Sequence, residues 1–154
     1  MDNASIQKIL FEIEQIDQLI SDSAPLVDLC KAREPDFVER CGIALILHSF
    51  YNGIENIILL MAKSKGIPMP DGTKWHKELL AKTFYETGDG LLIFREELEI
   101  PLKDYLRLRH FVRHTYGFQL QWEKMKDLLF DMNMVWEKAK EDIIAGIGSA
   151  THGD

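Results

Sequence analysis

Apolar residues recur at intervals of three and four along almost the whole chain, and this period constrains the fold more than any other feature. It is clearest near the N-terminus, in the set Ile6, Ile9, Leu10, Ile13, Ile16 and Ile20. Such spacing places apolar side chains on one face of an α-helix, so it predicts a helix over roughly residues 4–21. Pro25 marks a position at which a further helix could begin. No stretch shows the alternation typical of a β-strand.

Prolines and glycines divide the rest of the chain into further helices. The longest and most apolar helix is predicted from Pro35 to Lys65, where Gly66 supplies the stop. A short helix is expected over residues 74–84, another from Pro101, and a last one over residues 119–144. The sequence therefore predicts an all-α fold, an antiparallel bundle of four main helices plus short extra helices.

Length and charge limit the organisation and the class of function. A chain of 154 residues accommodates one hydrophobic core, and we expect a single domain over residues 1–145 and a flexible tail over 146–154. The net charge of −7 argues against binding polyanions through the whole surface. The longest uncharged run, 41–54, is shorter than the roughly 20 residues of a membrane span, so no membrane association is expected. Two cysteines without a CxxC pattern predict neither a disulfide scaffold nor a metal site, which favours a cytoplasmic location.

One segment, residues 101–117, departs from this acidic background. Between positions 103 and 114 it has four cationic side chains and one acidic one, together with two histidines. The cationic residues are Lys103, Arg107, Arg109 and Arg113, the acid is Asp104, and the histidines are His110 and His114. A concentrated positive charge on an acidic protein predicts a site for a particular anion.

Arg109 and Arg113 have an unusual predicted position. On a helix that turns about 100° per residue, both fall within the apolar sector of this segment. A buried guanidinium requires a partner or a cleft. Two interpretations therefore stay open: an ion pair with Glu55 on the long helix, or an anion site.

His114 and Tyr116 follow the arginines with groups suited to proton transfer. Histidine moves protons near neutral pH, and arginine holds a phosphate with two parallel hydrogen bonds. Together with a tyrosine hydroxyl, they suit metal-free RNA cleavage, in which the ribose 2′-hydroxyl attacks the adjacent phosphate. The alternative is that His114 and Tyr116 simply end a helix, with Gly117 as its terminator.

The positions of Arg109 and His114 impose a geometric condition on any shared site. Five positions correspond to about 140° on a regular helix, so the two side chains would not share a face. Either the helix bends or ends before His114, or two chains contribute to the site across a twofold axis.

These residues resemble the signature of the HEPN superfamily: arginine, four to six residues, histidine, any residue, tyrosine. Arg109, four intervening residues and then His114-Thr-Tyr116 match this signature, and the likeness is strongest to HepT-like toxins. It extends to the first helix and to the segments 49–56, 71–80 and 107–122.

The resemblance implies a homodimeric bundle whose two motifs line one interfacial cleft, with a metal-independent endoribonuclease activity and no cofactor. Arg109 would hold the scissile phosphate, His114 would act as general base or acid, and Tyr116 would position the phosphate. His110 and Arg113 would support them. The implied partners are an RNA substrate and a nucleotidyltransferase (MNT) antitoxin, which blocks the toxin by adding AMP to Tyr116.

Two other functions stay open at this level. One is a non-catalytic HEPN-type module that binds a nucleotide or a nucleotidyltransferase partner through Arg109 and His114. The other is a helical dimerisation domain in which Arg109 forms a structural ion pair with Glu55.

Overall fold

Five α-helices and two single-turn 3₁₀ helices form the fold in the computed structural model, which describes residues 1–86, 88 and 90–152. The α-helices are α1 (Asn3–Ala32), α2 (Phe37–Ser64), α3 (Trp75–Lys82), α4 (Glu99–Arg113) and α5 (Trp122–His152), and the 3₁₀ turns are Glu96–Leu98 and Gly117–Gln119. The described residues contain no strand. The all-α bundle is therefore confirmed, with α1, α2, α4 and α5 as its four main helices.

Helix α2 is the centre of the bundle and packs against every other α-helix. It begins with a capping box, in which the Asp36 carboxylate accepts from the Glu39 amide at 2.8 Å and the Glu39 carboxylate accepts from the Asp36 amide at 2.9 Å. It ends just before Gly66, whose φ of 67° suits glycine, as predicted, but it is shorter than α1 and α5, so the prediction that it is the longest helix is wrong. By length and composition α2 could cross a membrane, but 56% of its most apolar window is buried inside the protein. Burial within the bundle accounts for its apolar composition.

Helix α1 is longer than the periodicity predicted, because it continues through Pro25 to Ala32. The prolyl ring removes one backbone hydrogen bond, and Pro25 itself is exposed. Beyond it Leu26 and Val27 are half-buried and Cys30 is buried, so packing holds the helix on the core past the proline. Pro25 is therefore inside a helix and does not begin one.

Helix α5 also extends beyond its predicted end. It reaches His152 and so includes residues 146–152, which we had expected in a flexible tail. The apolar period continues there through Ile143 and Ile147, and Gly146 packs closely on Met61. Gly153 and Asp154 lie outside the described residues, and the domain boundary at residue 145 stays a prediction.

Contacts with α2 and α5 fix the rotation of α4 about its own axis. The Tyr105 ring meets Phe50 of α2 edge-on, with ring centroids 5.0 Å apart. The Tyr105 hydroxyl donates to the Leu128 carbonyl of α5 at 2.6 Å. Pro101 lies in the first turn of α4, where a proline is tolerated. These contacts determine which α4 side chains face the interior.

Candidate functional site

Arg109 is buried between α4 and the rest of the bundle. It lies one turn after Tyr105 and therefore on the same face of the helix. Only 9% of the residue is exposed, and its place in the apolar sector of the helix predicted this burial. The sequence pattern alone thus identified a buried guanidinium.

The guanidinium of Arg109 has no counter-ion in direct contact among the residues that the structure describes. Within the described part of the chain, no carboxylate lies within 4.0 Å of it, and its Nε is buried without a hydrogen-bond partner. Glu55, which we considered as its ion-pair partner, is 3% exposed and accepts instead from His76 Nδ1 of α3 at 2.7 Å. The interpretation of Arg109 as one half of an ion pair with Glu55 is therefore wrong.

The positive charge of α4 is neutralised at one end of the helix and not at the other. Lys103 donates to Glu99 at 2.9 Å, and Arg107 donates to Asp104 at 2.6 Å. Arg113 is exposed, and no described carboxylate lies within 4.0 Å of it. The uncompensated charge is thus concentrated at the C-terminal end of α4, in Arg109 and Arg113.

Arg113 does not lie on the buried face, contrary to the helical projection. It is the last residue of α4, and the core does not extend to its side chain. A cation at this end of a helix also interacts favourably with the helix dipole. Arg113 therefore presents its charge at the surface, beside the buried charge of Arg109.

The helix ends at Arg113, immediately before His114, which is one of the two conditions given above for a shared site. His114 leaves the helical conformation with φ −120° and ψ 17°, and its amide bonds to the Phe111 carbonyl at 3.1 Å. Its ring lies 4.7 Å from the His110 ring, centroid to centroid. Both histidines are exposed, so two imidazoles lie at the surface where α4 ends.

Tyr116 is placed by the turn that follows. The Gln119 side chain accepts from the Tyr116 amide at 3.1 Å, and the Gln119 amide donates to the Tyr116 carbonyl at 2.9 Å. The residue is 73% exposed. The turn thus presents the tyrosine ring to solvent.

Gly117 does not terminate α4, which ends four residues earlier at Arg113. A Cβ added at Gly117 would lie 3.1 Å from Cys41 Sγ and 3.3 Å from the Phe37 ring. The glycine therefore allows a close approach of this turn to the first turns of α2.

A row of polar side chains lies on α2, the helix against which α4 packs, and the sequence pattern did not assign this row to the site. His48, Tyr51 and Glu55 are spaced by three and four, which places them on one face of the helix. Burial raises the pKa of the Tyr51 hydroxyl, and Glu55 raises it further while Arg109 lowers it. The Tyr51 hydroxyl is buried without a hydrogen-bond partner. The sequence does contain a signal for this row, because three polar residues recur at helical spacing within the most apolar helix.

Comparison with known proteins identifies the family. A family model described as HepT-like protein matches residues 42–147, well over half of the chain. The chain belongs to the HepT-like family. No curated protein and no solved structure gave a significant match. Membership confirms the resemblance of the sequence to HepT-like toxins and indicates a ribonuclease toxin of the HEPN type.

The part of this HepT-like protein that matches includes both the α4 motif and the polar row of α2. Within the described residues, no group of three or more histidine, cysteine and acidic side chains is placed to hold a metal ion. Cys30 and Cys41 are both free thiols.

Proposed function

We propose that this HepT-like protein is a metal-independent endoribonuclease toxin, and that Arg109, His114 and Tyr116 are the residues that carry out RNA cleavage. The observation that carries the proposal is the state of Arg109, a buried guanidinium whose Nε has no partner and which no described carboxylate approaches within 4.0 Å. A phosphodiester supplies the negative charge and the acceptor oxygens that this group lacks.

Each residue of the motif has a distinct part in the proposed reaction. Arg109 holds the scissile phosphate and stabilises the additional negative charge of the transition state. His114 transfers a proton at a reacting oxygen. Tyr116 positions the phosphate, and His110 and Arg113 add positive charge around it.

The test is cleavage of RNA in EDTA by protein whose Tyr116 is shown by mass spectrometry to be unmodified. We expect the wild type to leave 2′,3′-cyclic phosphate ends. His114→Ala removes the proton donor or acceptor, so the rate should fall by about 10²–10⁴-fold. Arg109→Lys should also lower the rate strongly, because an ammonium group cannot form the planar two-bond contact of a guanidinium.

Arg107→Lys is the matched control, since Arg107 is exposed and already bonded to Asp104. It should cleave RNA at the wild-type rate. Equal activity of the wild type and His114→Ala would show that His114 is not catalytic. If the wild type is inactive on single-stranded and transfer RNA but binds a nucleotide tightly, the ribonuclease proposal is wrong and the non-catalytic module is supported.

The antitoxin is the second part of the proposal. We propose that a nucleotidyltransferase partner silences the toxin by adding AMP to the Tyr116 hydroxyl. The support is the exposure of Tyr116, 73%, in the turn that follows the catalytic histidine. A bulky anionic group there would compete with the RNA phosphate for the adjacent cations. Both partners would meet the protein in the cytoplasm.

We also propose that the protein acts as a homodimer, with the two motifs face to face. Val38 and Leu45 support this, because they are 73% and 65% exposed and lie seven residues apart on α2. Gly117 contacts the same end of α2 at Cys41. An apolar surface beside the motif is suited to a twofold contact.

A further inference from the structure

The motif segment runs along α2 in the opposite direction to that helix. The Tyr105 ring of α4 packs edge-on against the Phe50 ring of α2, with centroids 5.0 Å apart, and a Cβ added at Gly117 would lie 3.1 Å from Cys41 Sγ of α2. Residues 105 to 117 therefore pass α2 positions of decreasing number, from 50 to 41. His114 lies between Tyr105 and Gly117 in the chain, which places it along this stretch of α2, and the same stretch includes His48.

His48 is half-buried at this place and is approached by charges from two helices. Arg109 and Arg113 act on it from α4, and Glu55 acts from its own helix. Burial, and then the two arginines, lower the pKa of the His48 imidazole, while Glu55 opposes them. The imidazole is therefore neutral at neutral pH and able to accept a proton.

We propose that His48 is a second catalytic residue of this site, the general base that removes the proton of the ribose 2′-hydroxyl while His114 acts as the general acid. The inference rests on the ribonuclease function proposed above. It adds to the α4 motif a half-buried histidine from the part of α2 against which α4 packs.

The chemical step balances with these two histidines alone. The 2′-hydroxyl proton passes to the neutral His48 imidazole as the 2′-oxygen bonds to phosphorus. The bond from phosphorus to the 5′-oxygen breaks, and that oxygen takes a proton from the His114 imidazolium. The products are a 2′,3′-cyclic phosphate and a 5′-hydroxyl, and proton exchange with water restores both histidines.

His110 fits the role of base less well. Its ring is close to His114, but it is one position from Arg109 in the helix and so about 100° around α4 from the buried guanidinium. His48 lies on α2, the helix against which the buried face of α4, with Tyr105 and Arg109, packs.

The test compares His48→Gln, His114→Ala and the wild type on an oligonucleotide with a single ribose, in EDTA. A matched substrate has sulfur in place of the leaving 5′-oxygen, so that departure needs no acid. His48→Gln should lower kcat by about 10²–10⁴-fold on both substrates and should lose the rise of kcat/KM with pH on the acidic side. His114→Ala should lose activity on the oxygen substrate and regain it on the sulfur substrate.

His76→Gln is the histidine control. His76, on α3, is hydrogen-bonded to the Glu55 carboxylate of α2, and a glutamine side chain can also donate to that carboxylate. Its pH profile should match that of the wild type. Wild-type kcat and pH profile in His48→Gln, alongside an inactive His114→Ala, would overturn the role of His48 and leave the ribonuclease proposal standing. Recovery of His48→Gln on the sulfur substrate would also overturn it, by making His48 the acid. No cleavage by the wild type would overturn both proposals.

A measurement on the wild type covers the case in which His48→Gln does not fold. A 2′-deoxy oligonucleotide binds without reacting, and its titration should shift the NMR signals of the His48 ring. Signals that stay unchanged at saturation would show that His48 does not touch the substrate.

Discussion

Arg109 is the residue at which folding and function are most clearly in conflict. A buried cation without a counter-ion in contact destabilises the folded state, typically by several kcal/mol. Proteins retain such groups chiefly at functional sites, where a ligand completes the interaction. The neighbouring cations Lys103 and Arg107 are paired with carboxylates, whereas among the described residues no carboxylate lies within 4.0 Å of the buried Arg109.

Tyr116 supports a prediction at the same scale. With the nucleotidyltransferase antitoxin and ATP, the wild type should gain the mass of AMP, and Tyr116→Phe should gain none because it lacks the acceptor hydroxyl. The thermal midpoint should change little, since Tyr116 is 73% exposed. Intact-protein mass spectrometry checks the first expectation and calorimetry the second.

Tyr85→Phe is the control for this experiment, because Tyr85 is also exposed, at 58%, and lies outside the motif. It should be modified as fully as the wild type. AMP attached elsewhere on Tyr116→Phe would show that another side chain is the acceptor.

At the scale of the element, α2 combines a close helix contact with an open position. A Cβ added at Gly53 would lie 2.8 Å from Ile16 Cγ1 of α1, whereas a Cβ at Gly42 would meet nothing within 4 Å. Of these two glycines, Gly53 alone therefore lies in a close contact between α1 and α2. Small residues on one helix serve different purposes depending on what faces them.

These two glycines form a matched pair for a stability measurement. Gly42→Ala should raise the free energy of unfolding by about 0.5–1 kcal/mol, because alanine loses less backbone freedom in a helix. Gly53→Ala has the same helix preference but overpacks the contact with Ile16, which typically costs about 1–3 kcal/mol. Urea unfolding should therefore find Gly53→Ala the less stable of the two. Equal stabilisation by both would mean that Ile16 moves aside freely.

At the scale of the whole molecule, side-chain hydrogen bonds join segments that are distant in sequence. Asp17 of α1 accepts from Trp136 Nε1 at 2.7 Å and from Lys140 Nζ at 2.8 Å, both on α5. Arg95, in the loop before α4, donates to the Asp142 carboxylate of α5 at 2.9 Å. These bonds join the two ends of the chain around α2 and leave the end of α4 accessible.

The proposed homodimer is a prediction at this scale. Sedimentation equilibrium should give twice the 17.8 kDa of one chain. Leu45→Glu places a charge on the apolar surface beside the motif and should shift the mass towards that of the monomer. Met134→Glu, at a residue of α5 that is 53% exposed, is the control and should stay dimeric. A wild type that sediments as a monomer at micromolar concentration would contradict the dimer.

Local sequence was sufficient to predict the all-α class, the apolar character of α2 and the place of Arg109 on the apolar face of α4. Each follows from local periodicity, because a period of 3.6 residues specifies both the helix and its buried face. The ends of α1 and α5 were not determined, since packing of Cys30 and of Ile147 carries those helices beyond local stop signals.

The partners of the polar side chains depend on how the helices pack. The sequence suggested Arg109 as the partner of Glu55, but the packing of α3 brings His76 to Glu55, and no carboxylate of the described residues lies within 4.0 Å of Arg109. The same packing brings together His48 of α2 and the two arginines of α4, Arg109 and Arg113, and burial and then these arginines lower the pKa of His48. Helix α2 begins more than sixty residues earlier in the chain than α4. Periodicity specifies which face of a helix is buried, but ion pairs depend on distances between helices, and those distances exist only once the bundle has packed.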